Sequence, residues 1–157
     1  MKAINRIIDT ARRAPMRIVL CESEDDRMLT AAARATREGI ARIVLVGDIG
    51  KTQRAADAAR VDLAGMELID PAMSDMADAF AETWYGMRAK KGITRTQAAE
   101  EMRSPLGFAN MMVRLGHADG SVAGAVNTTA DVVRMAIQII GVQPSFHVRM
   151  VRQLVED

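Results

Sequence analysis

A chain of 157 residues with 21 basic and 20 acidic side chains, net charge +1, has the size of one core-bearing domain. That balance lacks the basic excess expected of a nucleic-acid binder or of a protein held on an anionic membrane. Hydrophobic residues at 49% and charged residues at 26% are ordinary for a globular protein.

Residues 1–14 carry Ile4, Ile7, Ile8 and Ala11 on one face, which predicts a surface helix. The stretch lacks the long apolar core and cleavage site of a secretory signal, and no run reaches the length of a membrane span. Residues 17–21 form a compact apolar run, read as a buried strand. It ends in Cys21, the only cysteine, so an internal disulfide and a multi-cysteine metal site are excluded and a reducing, cytoplasmic setting is expected.

Asp25 or Asp26 can cap the next helix, in which Met28, Leu29, Ala32, Ala33 and Thr36 recur at helical spacing up to Gly39. Residues 42–46 are a second strand, closed by Gly47 and Asp48. A short helix over 52–59 and a short strand over 67–69 follow, and Asp70-Pro71 stops that strand. Ser74 opens a long helix with Met76, Phe80, Trp84 and Met87 on its apolar face, ended by Gly92. Thr94 and Gln97 have the spacing of a capping box. Ser104-Pro105 starts another helix, with Phe108, Met111, Met112 and Leu115 as its buried stripe and Gly116 at its end. His117 follows as a cap or surface residue. Neither His117 nor His147 has a ligand-like pattern around it, so no metal is expected. A strand at 120–123 and a helix over 131–140 complete the series, before Gly141 and Pro144.

Strands alternating with helices, the strands apolar throughout, predict an α/β layered domain with a mostly parallel sheet and helices on both faces. Such sheets bind ligands at the carboxyl ends of their strands. The stretch from Gly120 to Arg134 ends there, and its chemistry suits an oxyanion such as phosphate. Small residues let the backbone come close, and Thr128-Thr129 supply hydroxyls. A helix N-terminus offers unpaired N–H groups and a favourable dipole. Arg134, one turn further, leans back toward that N-terminus and adds a forked cationic donor. Thr128 and Asp131 also make a helix-capping pair, a role compatible with anion binding because the same donors serve both. Arg27 follows the first strand within a crowd of four acids, Glu22, Glu24, Asp25 and Asp26, which read as solvated helix-start residues. Arg88 sits near the end of the long helix, where a basic residue also complements the dipole.

Four segments taken together resemble the phosphate acetyltransferase (phosphotransacetylase) family, which acts on acetyl or butyryl groups. They are Arg17 to Arg27, Arg42 to Gly47, Met87 to Gly92 and Gly124 to Arg134, and their order and spacing match as well. The resemblance covers about residues 4–141 and corresponds to the N-terminal half of that family. It implies the first of two α/β domains flanking a cleft, like those of the isocitrate/isopropylmalate dehydrogenases. The implied reaction is acetyl-CoA plus phosphate to acetyl phosphate plus CoA, with CoA and acetyl-CoA as substrates and no permanently bound cofactor. Thr128 and Arg134 then match phosphate-side residues, and Arg27 and Arg88 two further arginines of the cleft.

The resemblance places no catalytic residue in these 157 residues. The serine–arginine pair and aspartate that handle the oxyanion and the CoA thiol belong to the family's second half. Asn127 stands where the family often has histidine, and Met135 where proline commonly follows the arginine. Residues 1–144 read as the family's N-terminal domain and residues 145–157 as a divergent, polar and basic tail. The expected partners are phosphate, acetyl-CoA and acetyl phosphate, with no nucleic acid or membrane. A half-enzyme is also expected to self-associate or to meet a separate chain carrying the other half. The alternative function is a non-catalytic sensing or scaffold module for the same ligands. A dehydrogenase relative ranks last, because no glycine-rich dinucleotide fingerprint follows the first strand.

Overall fold

The computed structural model describes residues 2–142; the expected tail over 145–157, with His147, lies outside them, as does Pro144. Among the described residues, seven α-helices and four strands run in chain order. They are α1 (Lys2–Arg13), β1 (Met16–Leu20), α2 (Asp26–Arg37), β2 (Ala41–Val46), α3 (Ile49–Ala59), β3 (Glu67–Ile69), α4 (Met76–Arg88), α5 (Arg95–Arg103), α6 (Pro105–Arg114), β4 (Gly120–Val122) and α7 (Thr129–Ile139). A 3-10 turn over Ala89–Lys91 separates α4 from α5.

All four strands are parallel, in the order β3-β2-β1-β4. The chain builds outward from β1 through β2 to β3, then returns through α4, α5 and α6 to add β4 on the other side of β1. The strand order therefore reverses between β1 and β4, where open α/β sheets form their ligand crevice.

Period-two alternation in β1 and β2 divides the core. Val19, Val44 and Val46 point to one face, where they meet Phe80 and Trp84 of α4, Met102 of α5, Phe108 and Met112 of α6 and Ile139 of α7. Leu20, Ile43 and Leu45 point to the other, against Leu29 and Ala32 of α2 and Ala56 of α3. Helices thus cover both faces of a fully parallel sheet, as the apolar strands require.

Side-chain caps set the helix starts. Asp25, not Asp26, caps α2, accepting the N–H groups of Arg27 and Met28. The third helix starts at Ile49, earlier than the residue 52 expected, because Asp48 accepts the Lys51 N–H at 2.7 Å and holds the first turn. The last helix starts at Thr129 with Thr128 as its cap, two residues ahead of the expected start at Asp131. Both halves of the Thr94–Gln97 capping box form. The long helix begins at Met76 rather than at Ser74, whose hydroxyl accepts the Met76 N–H.

Two polar contacts lock the helical layer on the α4–α7 face. The buried indole N–H of Trp84 donates to the carboxylate of Glu101, tying α4 to α5. Arg114 of α6 donates to the carbonyl of Ile139 at 2.7 Å, placing a cation at the negative end of α7. Among the described residues, no helix is long and apolar enough to cross a membrane.

Candidate functional site

The carboxyl ends of β1 and β4 face each other across the switch point, and the loops leaving them build one connected crevice. Cys21 to Asp25 leave β1, Ala123 to Thr128 leave β4, and Ser104 and Pro105 open α6 opposite. A cavity of about 360 Å3 lies against Glu22, Ser23, Asp25, Gly47 and Val126. A second, of about 540 Å3, lies against Glu100, Glu101, Asp131, Arg134 and Met135. Cys21, Pro105 and Asn127 line both.

Glu22 is the centre of this region, and the structure corrects its reading as a solvated acid. The residue is 6% exposed. Its carboxylate accepts the backbone N–H groups of Gly124, Ala125, Val126 and Asn127 at 2.7–3.1 Å, and the Asn127 side-chain amide at 2.8 Å. Four consecutive N–H groups converging on one anion form a backbone nest. Gly124 makes the curl possible with φ +116°, a conformation that side-chain-bearing residues rarely adopt. Burial raises the Glu22 pKa, but the hydrogen bonds from Asn127, Val126 and Ala125 outweigh it and hold the group at about 2. The small-residue turn does bind an oxyanion, and that oxyanion is the chain's own carboxylate. The Asn127 side-chain amide adds a fifth N–H group to the four of the backbone.

Beside it, burial pushes the Cys21 thiol up to about 12, with the Glu22 charge adding to the effect. The thiol stays protonated at neutral pH and packs as a core residue. Ser23 and Thr52, both buried, share a hydrogen bond of 2.7 Å. Thr52 donates its proton to the Asp48 carbonyl, so Ser23 is the donor to Thr52. A Cβ on Gly47 would lie 2.3 Å from the Ser23 oxygen. Moving that oxygen breaks the bond to Thr52 in a closed space. Gly47→Ala is therefore expected to destabilise the protein by about 1–3 kcal/mol, read as a shifted urea midpoint at unchanged slope.

The four arginine and threonine candidates fare differently. Thr128 caps α7, accepting the Asp131 N–H at 3.2 Å and donating to the Asp131 carboxylate at 2.7 Å. Arg134 pairs with the other oxygen of Asp131 at 2.7 Å while its side chain stays 60% exposed. These two residues lie together at the N-terminal end of α7. Arg27 reaches the same loops from behind. It pairs with both oxygens of Asp25 at 3.0 and 2.8 Å and donates to the Ala125 carbonyl at 2.8 Å. The Arg27 hydrogen bonds hold the Asp25 carboxyl down at about 2. Arg88 stands apart, with its guanidinium 5.4 Å from the Trp84 ring centroid. Among the described residues no hydrogen bond or ion pair joins it to the other three.

The arrangement suits an anion at the first turn of α7. Among the described residues the N–H groups of Thr129 and Ala130 meet no acceptor, while Arg134 and the Thr128 hydroxyl stand beside them. Sequence reasoning missed Glu22. Only the structure shows it inside the run Val19 to Ser23, all five residues of which are buried.

A sequence model of the family described as Phosphate acetyl/butaryl transferase matches residues 2–152. A phosphate acetyltransferase of Paracoccus denitrificans is 44% identical over 144 residues, covering 92% of this chain and 42% of its own length. That of Treponema pallidum is 47% identical over 133 residues, covering 84% and 40%. Among solved structures, a phosphotransacetylase from Staphylococcus aureus superposes with a TM-score of 0.84 at 34% identity, over 93% of this chain and 44% of the other. The chain spans less than half the length of these relatives.

Proposed function

The chain belongs to the phosphate acetyl/butaryl transferase family, and from that premise we propose that it forms the phosphate side of an acetyl-transfer cleft. The reaction is acetyl-CoA plus phosphate to acetyl phosphate plus CoA. An oxygen of hydrogen phosphate attacks the thioester carbonyl carbon, the carbon–sulfur bond breaks, and the sulfur leaves and takes up, as the CoA thiol, the proton that the phosphate gives up. Phosphate must shed water to attack. Thr128, the free N–H groups at the start of α7 and Arg134 replace that water and hold the nucleophile in line. Arg27 braces the loop ahead of Thr128 through the Ala125 carbonyl, and Arg88 serves a more distant part of the substrate. CoA and acetyl-CoA are substrates here, and no resident cofactor is part of the scheme.

The observation that carries this reading is the pairing of exposed N–H groups at the start of α7, without an acceptor among the described residues, with Arg134, which lines the neighbouring cleft at the strand-order switch. Calorimetric titration of the 157-residue polypeptide with inorganic phosphate tests it. A saturable heat that is competed by sulfate is expected, and the absence of saturable binding at millimolar phosphate rejects the reading. By the family resemblance, the groups that act on the thiol and the developing oxyanion lie outside these 157 residues. The same polypeptide is therefore expected to bind phosphate without forming acetyl phosphate from acetyl-CoA.

A further inference from the structure

We propose that Glu22 is a positioning residue of this cleft: its buried carboxylate gathers the four N–H groups of Gly124 to Asn127 and so fixes where Thr128 and Arg134 stand for an incoming oxyanion. The inference deepens the phosphate-side reading and rests on it. Its ground is geometry. Oxygen Oε1 accepts from Gly124, Val126 and Asn127, and Oε2 from Gly124 and Ala125. Asn127 closes the ring with its side chain. Thr128 follows with no residue in between, so the loop curled around Glu22 delivers the cap of α7 directly. Arg27 grips the outer side of the same loop through the Ala125 carbonyl.

The arrangement also selects the site. Without Glu22, the nest would be the strongest anion trap in the crevice, since it offers four backbone donors and a side-chain amide. With Glu22 in place those donors are spent. A soluble oxyanion is left with the first turn of α7 and Arg134, on the side of the 540 Å3 cavity. The carboxylate works as a built-in anion that moves the ligand one step along the loop.

The test uses the 157-residue polypeptide, its Glu22→Gln variant, and Ile43→Ala as a control. Ile43 is buried on the opposite face of the sheet, so its truncation loosens the core without touching the loop. Amide hydrogen exchange is followed by NMR at residues 124–127 and within α7, and phosphate affinity is measured by titration. In Glu22→Gln the four loop amides are expected to exchange at least tenfold faster relative to those of α7. Phosphate affinity is expected to fall about tenfold or to move onto the loop amides. Ile43→Ala should leave both the relative exchange pattern and the affinity unchanged below its melting temperature. Loop amides as protected in Glu22→Gln as in the parent overturn the proposal, as does an equal loss of affinity in Ile43→Ala. If Glu22→Gln does not fold, Asn127→Ala removes one donor and must shift both readouts in the same direction, or the proposal falls. If the parent itself binds no phosphate, the phosphate reading fails while the exchange measurement still decides whether Glu22 holds the loop.

Discussion

At neutral pH the Glu22→Gln protein is expected to be less stable than its parent by about 3 kcal/mol, and the deficit is expected to vanish as the pH falls toward 2. The size follows from linkage. In the folded chain the Glu22 carboxyl is held at about 2, against 4.5 for an ordinary glutamate. Each pK unit is worth about 1.4 kcal/mol, so the difference amounts to about 3 kcal/mol. The sign follows from proton counting. Between the two pKa values the unfolded chain binds the proton and the folded chain does not, so stability rises with pH through that window. The contribution is complete above about pH 5 and lost on acidification through the folded value. Glutamine presents one acceptor oxygen and an NH2 group that faces N–H donors, so it mimics the protonated acid. Urea unfolding of both proteins at several pH values from 7 to 2.5 gives two stability curves. They should converge at the acid end. Curves that stay parallel would mean that the loop N–H groups do not depend on the Glu22 charge. For a domain whose total stability is about 5–15 kcal/mol, this single carboxylate is a large share.

What was legible in the sequence was whatever depends on near neighbours. The apolar runs at residues 17–21 and 42–46 predict buried strands, and the alternation of Val44 and Val46 against Ile43 and Leu45 shows why the run after Arg42 is unbroken: both faces of the sheet are covered. Thr94 with Gln97 and Ser104 with Pro105 announce helix starts within four residues, and those starts stand. Glu22 was illegible for the opposite reason. Its partners lie 102 to 105 positions away, and nothing between Arg17 and Arg27 shows that a distant loop will close on one acid out of four. The same distance hides the bond from Arg27 to the Ala125 carbonyl. The stretch from Gly120 to Arg134 read as an oxyanion cradle through its small residues, hydroxyls and helix start, but that the turn at 124–127 would be filled by Glu22 depends on the strand order. Parallel pairing of Ile18 with Gly120 and Leu20 with Val122 sets β4 beside β1, so the two strands end together and the Glu22 carboxylate fills the turn.

Two substitutions three positions apart, at Asp131 and Arg134, should move phosphate affinity in opposite directions, and that opposition tests the site more sharply than either change alone. Asp131 now satisfies both Thr128 and Arg134, accepting from each at 2.7 Å. In the proposed site, a phosphate oxygen would have to compete with it for both donors. Arg134→Ala removes a charged hydrogen-bond donor worth about 1.5–3 kcal/mol. Because the Arg134 side chain is 60% exposed, the lower end applies, and affinity is expected to fall about tenfold. Asp131→Asn removes a negative charge from beside the ligand yet keeps an oxygen for the Thr128 hydroxyl. Two unit charges about 4 Å apart repel by about 1 kcal/mol in a water-like setting, so affinity is expected to rise about fivefold. Both effects are electrostatic and partly solvated, so both should shrink between roughly 20 and 200 mM salt. A purely structural role for Asp131 as part of the α7 cap makes a different prediction: its loss would loosen the helix start and weaken binding along with stability. Titrating phosphate into the parent and the two variants at two salt concentrations separates the cases. A fall in affinity for both variants would show that the Thr128–Asp131–Arg134 group only caps its helix. A rise for Asp131→Asn with a fall for Arg134→Ala would place the oxyanion between Thr128 and Arg134.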